Sequence, residues 1–112
     1  MTRLVRPVFV VLFAAASLSA VQGKQTFTGV ITDSECAEGG HARMRMGPTD
    51  PECVIACIHA HGAAYVLLDG KNVYVLSDQK TPEKFAAQKV TVTGMLDAGT
   101  RTINVDAIAA AP

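Results

Sequence analysis

The side chains able to do chemistry in this chain are concentrated in one stretch, residues 36–62. All three cysteines and all three histidines lie there, together with Met44 and Met46. Thiolates and imidazoles bind borderline metal ions such as zinc, and thioethers favour Cu(I) over magnesium or calcium. The stretch therefore indicates a transition-metal site, a disulfide or a reactive thiol.

The metal interpretation rests on the spacing C-x4-H-x11-C-x3-C, which begins at Cys36. It supplies three thiolates and one imidazole, the ligand number of a tetrahedral zinc site. Because a C-x3-C pair joins successive helical turns, we expect Cys53, Cys57 and His61 on one helical face. The candidate ions are Zn and Cu, and the candidate ligands are Cys36, His41, Cys53, Cys57 and His61.

A disulfide is the alternative use of the same cysteines. In an oxidising compartment a cross-link stabilises a small domain by about 2 to 4 kcal/mol. Cys36 can pair with Cys53 or Cys57, whereas two cysteines one helical turn apart are usually too far apart for a relaxed disulfide. Any pairing leaves one thiol over. The chain would then be a disulfide-stabilised binding module with neither metal nor catalysis.

Thiol catalysis has less support. Cys53 falls near the start of the expected helix, where the helix dipole favours a thiolate. The chain has no C-x-x-C redox motif, no haem-attachment C-x-x-C-H and no G-x-S-x-G elbow. Asp33 and Glu35 lie just before Cys36, but such a pair of carboxylates at a strand end is more typical of a turn than of an acid–base dyad. The sequence therefore leans against an enzyme.

Residues 1–23 have the layout of a secretory signal peptide. Arg3 and Arg6 precede an apolar run that gives way to small residues before Gly23. The run is shorter than the roughly 20 apolar residues of a membrane span. We therefore expect an exported protein, periplasmic or extracellular, that is not membrane-bound after cleavage. Zero net charge and few aromatics argue against nucleic acid, and no protein partner is indicated.

Residues 24–112 are expected to form one domain built mainly from strands. Alternating or apolar runs bounded by turn residues predict five strands, at residues 25–33, 64–68, 73–76, 89–96 and 100–108. Short helices are expected at 51–61, where Thr49 and Glu52 have capping-box spacing, and at 82–88, after Thr81. The last four residues are expected to fray.

This element order predicts an OB-fold-like barrel of five strands with two short helices. Closing the sheet into a barrel removes strand edges that would otherwise be exposed. The Cys/His loop and its helix are an insertion after the first strand. Gly29, inside that strand, indicates a bulge or a tight bend.

Several motifs of the chain resemble one family of small exported bacterial proteins. That family carries a domain of unknown function (DUF5818-like), and the likeness covers essentially all of residues 24–112. The motifs are TGVITDSEC, ECVIACIHAHGAAYVL, DGKNVYVLSDQ, KVTVTGML and TINVDAI. The match falls on Cys36, His41, Cys53 and Cys57, and the VTG and TINV segments are also similar to periplasmic OB-fold proteins. The resemblance implies export and an OB-like fold, and it brings no established activity.

Overall fold

The computed structural model describes residues 7, 10, 23–41 and 45–112. The predicted signal peptide, apart from three of its residues, and Met44 lie outside this part. The described elements are β1 (Gln25–Asp33), α1 (Asp50–His61), β2 (Tyr65–Asp69), β3 (Asn72–Leu76), a 3-10 helix (Thr81–Phe85), β4 (Lys89–Asp97) and β5 (Thr102–Ala110). The prediction of a mainly β domain is thereby confirmed. Within the described residues, no helix has the length and apolar character needed to cross a membrane.

The five strands form a single sheet that closes into a ring. Its order is β1-β2-β3-β5-β4, and β4 pairs with β1 to complete the circuit. Neighbours are antiparallel except for β3 and β5, which run parallel. Every strand of the ring therefore has a partner on both sides.

β1 pairs with two neighbouring strands, β2 and β4, and Gly29 lies where the backbones come close together. The strand pairs with β4 up to Val30 and with β2 from Val30 onward. A Cβ atom on Gly29 would lie 2.5 Å from the backbone oxygen of Leu68. Gly29 therefore permits a close backbone approach, while the irregular register lies elsewhere, between Thr93 and Gly94 of β4.

That irregularity changes which residues of β5 face the core, and the C-terminal end of the chain differs from expectation for a separate reason. Thr93 pairs with Ala107 and Gly94 with Val105, so one residue of β5 is passed over and the alternation of faces inverts. As a result Ala107 is exposed and Ile108 packs on the core. The expected fraying of the C-terminus is also wrong. β5 continues to Ala110, and the N–H of Ala111 donates to the carbonyl oxygen of Lys89.

The interior of the ring is apolar and contacts both helical segments. One side chain of α1, Val54, is fully buried in it. Two residues of β4, Val90 and Val92, are also fully buried. The core consists of Ile31, Val54, Tyr65, Leu67, Leu76, Ala86, Val90, Val92 and Ile103.

α1 begins and ends at the residues expected from the sequence, whereas the second helical segment differs from expectation. Thr49 caps α1, since its Oγ1 accepts a hydrogen bond from the N–H of Glu52, and Gly62 ends the helix at a φ of 63°. The prediction of a helix over 51–61 is therefore confirmed. The second segment is shorter than expected and is a 3-10 helix, because Ala86 leaves helical backbone angles and Ala87 has a φ of 59°.

Candidate metal centre

The cysteines meet where the end of β1, the turn after it and α1 come together. Asp33 is the last residue of β1, and its Oδ1 accepts hydrogen bonds from the N–H groups of Glu35 (3.0 Å) and Cys36 (2.9 Å). The Ala37 N–H also donates to the Asp33 carbonyl oxygen. These three bonds fix the turn, and Cys36 is held in a buried position.

α1 supplies the other two cysteines from one of its faces. Cys53 and Cys57 are one helical turn apart and both are fully buried. The Met46 N–H donates to the Cys53 Sγ at 3.4 Å, so the segment before the helix also contacts the thiol. His61 is exposed instead. Eight residues of α-helix turn about 80° past two full revolutions, which carries this histidine away from the cysteine face.

The ligand atoms form two groups of three that share one thiol. The Sγ atoms of Cys36 and Cys53 and a ring nitrogen of His41 all lie within 4.8 Å of one another. A carboxylate oxygen of Asp33 and the Sγ atoms of Cys36 and Cys57 form a second such group. Three of the other four ligand candidates, His41, Cys53 and Cys57, thus lie close to Cys36.

Of the described histidines, the other two belong to neither group. His61 is exposed at the last residue of α1. His59 is also exposed, and its Nε2 lies 3.4 Å from the Glu83 Oε1 in a surface contact. Only His41 therefore reaches the cysteines within the described part of the chain.

Each group contains one buried polar atom that lacks a hydrogen-bond partner among the described residues. These atoms are Oδ2 of Asp33 and Nδ1 of His41, and the one other such side-chain atom is the Tyr65 hydroxyl oxygen. Buried polar atoms are nearly always paired, because leaving one unpaired costs about 1 to 3 kcal/mol or more. A metal ion is one partner that would satisfy both atoms.

Burial and the Asp33 charge both act on the thiols. Burial, and then the nearby Asp33 carboxylate, raise the pKa of Cys36 to about 12. The same two causes, in the same order, raise the pKa of Cys57. Without a cation these two thiols are therefore protonated at neutral pH. A divalent ion held by these residues would reverse this balance, since it would attract thiolates and carboxylate alike and displace the thiol protons.

The three cysteines, all of which the structure describes, are not joined by a disulfide. They pack together as a small cluster, with Met46 and Ala63 against them. The disulfide alternative needs the same sulfur atoms as the metal site. The two uses therefore exclude each other and can be told apart by counting thiols.

Asp33 is the member of the site that the sequence did not single out as a ligand. Its position near a strand end, three residues before Cys36, is typical of a turn, and the hydrogen bonds of Oδ1 confirm that role. Burial of the second carboxylate oxygen depends on the packing of α1 beside β1, which no local pattern shows. An Asp-x-x-Cys pair followed by a cysteine-bearing helix is the signal that points to it.

No protein-family model, curated protein or solved structure matches this chain. The chemistry of the site has therefore to be inferred from its own residues.

Proposed function

We propose that this chain is a small exported protein that binds a transition metal, zinc or copper, through Cys36, His41, Cys53 and Cys57. The observation that carries the proposal is the convergence of their ligand atoms around Cys36, each group lying within 4.8 Å. With metal–ligand bonds of about 2.0 to 2.3 Å, neighbouring ligands of a zinc ion lie roughly 3.3 to 3.8 Å apart. A small contraction of each group would therefore suffice.

The types of the ligand atoms support a borderline or soft ion. Thiolate and imidazole are the preferred ligands of zinc and copper, whereas magnesium and calcium take oxygen ligands. The unpartnered Nδ1 of His41 supports the same assignment. The proposal leaves His61 out of the ligand set, because its side chain is exposed and belongs to neither group.

The proposal also includes the fold that carries the site and the export of the protein. The strand order, with one parallel pair and return of β4 to β1, supports an OB-fold-like barrel that carries the site as an insertion after β1. The basic start and apolar run of residues 1–23 support export to the periplasm or the medium. The likeness to small exported bacterial proteins at Cys36, His41, Cys53 and Cys57 agrees with both.

Thiol titration and elemental analysis of the purified protein test the proposal together. We expect three thiols that become reactive on denaturation with a chelator, and at least one zinc or copper ion per chain. One thiol without metal in the non-reduced protein would overturn it in favour of the disulfide-stabilised binding module.

The histidines provide matched variants for the same experiment. His41→Ala should lower zinc affinity by at least tenfold, because it removes one ligand. His59→Ala and His61→Ala should change it less than threefold, since both side chains are exposed. Equal losses in all three variants would contradict the assigned ligand set.

A further inference from the structure

The cluster offers five side chains that could bind a metal, which are three cysteines, one histidine and one aspartate. A tetrahedral zinc ion takes four ligands, so one such ion cannot use all five.

The geometry divides these five side chains into two groups of three that share one residue. The Cys36, His41 and Cys53 group and the Cys36, Asp33 and Cys57 group share only the Cys36 sulfur. Each group also contains a residue with a buried polar atom that has no hydrogen-bond partner in the described part of the chain, His41 through its Nδ1 and Asp33 through its Oδ2. Each group thus has one such residue of its own and shares the Cys36 sulfur with the other.

We propose that the cluster binds two divalent ions of the zinc class, bridged by the Cys36 thiolate, with Asp33 as a ligand of the second ion. This rests on the proposed function and extends it to the number and type of ions. Three thiol protons pass to solvent as two ions bind, so that four negative and four positive charges remain. The carboxylate oxygen favours zinc-class ions over Cu(I), which prefers soft ligands.

Asp33→Asn is the matched variant for this proposal. The asparagine Oδ1 can still accept the N–H groups of Glu35 and Cys36, so the turn is preserved while the second oxygen and the charge are lost. Cys57→Ser provides a second variant that leaves this turn untouched. Asp69→Asn, at an exposed carboxylate, and a double variant without His59 and His61 control for adventitious surface binding.

The experiment titrates the reduced, metal-free protein with Zn²⁺ and counts the ions retained after gel filtration. We expect two ions per chain for wild type and both controls, and one for Asp33→Asn and Cys57→Ser. With Co²⁺, the two-ion form should show magnetic coupling through the bridging sulfur, which both single-ion variants lose. Far-UV circular dichroism should show that all variants are folded.

A wild type that retains one ion, or an Asp33→Asn variant that retains two, would overturn the two-ion proposal and leave metal binding standing. A wild type that retains none would overturn the proposed function itself. The two failures are therefore distinguishable.

Discussion

The interior of the strand ring and the Cys/His cluster are equally buried, but they are built from opposite chemistry. The ring interior is filled by apolar side chains such as Leu67 and Ile103, both fully buried. The cluster buries three thiols beside the Asp33 carboxylate and a ring nitrogen of His41. Two of these polar atoms, Asp33 Oδ2 and His41 Nδ1, lack a hydrogen-bond partner among the described residues. The apolar side chains of the ring interior need no hydrogen-bond partner, whereas the cluster buries polar atoms that lack one among the described residues.

α1 belongs to both regions, which makes the contrast informative. Val54 packs in the ring interior, while Cys53 and Cys57 belong to the cluster. The same helix is therefore positioned by apolar burial and presents thiols as a consequence. It follows that the fold should form without metal, and that metal should add stability afterwards.

The largest effect is expected from opening a cavity in the ring interior. Leu67→Ala should lower the free energy of unfolding by about 2 to 5 kcal/mol, because the side chain is fully buried in the core. Urea unfolding with and without zinc measures this loss. We expect the same loss in both conditions, and a loss seen only with zinc would contradict the independence of the two regions.

The second-largest effect is expected from zinc binding, which should stabilise the protein only through the cluster. Zinc at a hundred times its dissociation constant should raise the free energy of unfolding by about 2.7 kcal/mol for each ion bound. Cys36→Ala should abolish this increment, since its sulfur belongs to both ligand groups. Leu67→Ala should keep the increment despite its lower stability. A Cys36→Ala protein that zinc still stabilises fully would contradict the site.

A third prediction tests the close approach of the β1 and β2 backbones at Gly29. Gly29→Ala should cost about 1 to 3 kcal/mol, because its Cβ would overlap the Leu68 carbonyl and force the strands apart. Thermal unfolding measures the change. Gly99→Ala is the control, where the Cβ would lie 3.3 Å from the flexible Asp97 carboxylate. Equal costs at the two positions would show that close strand approach is not what Gly29 provides.

The smallest effect concerns Asp78, a carboxylate that is not among the proposed metal ligands. Hydrogen bonds from the Thr81 side chain, then from the N–H groups of Thr81 and Lys80, lower the pKa of Asp78. A pKa lowered by folding means stability that is present above about pH 4 and lost as the pH falls through the folded-state value. Asp78→Ala should therefore cost about 1 kcal/mol at pH 7. Urea unfolding at pH 7 and pH 2.5 measures it, and a cost that does not shrink in acid would contradict the cause.

Local signals predicted most of the scaffold. Alternation located β1 at the bounds found in the structure. An Asp-Gly pair between two apolar runs is typical of a hairpin turn, and Asp69 and Gly70 do join β2 and β3, where Gly70 has a φ of 58° and Asp69 pairs with Asn72. These features depend on a few neighbouring residues, whose backbone preferences and burial pattern are written directly in the sequence.

Two features depended on residues far apart in sequence. The first is the register of β5, where one residue is passed over in the pairing with β4 across a turn. As a result Ala107 is exposed and Ile108 packs on the core. The exposure of His61 follows from the pitch of α1 and from where its cysteine face is packed. The periodicity of one element does not show which of its faces packs against the neighbouring element.

The sequence by itself determined which side chains could bind a metal, that a capped helix would carry two of the thiols, and that strands would carry the rest of the domain. Only the tertiary structure decided that Cys36 lies between two ligand groups and that Asp33 belongs to one of them. The physical reason is that residue type and helical pitch are local properties. The burial of the second Asp33 oxygen beside two thiols arises only when α1 packs against the end of β1.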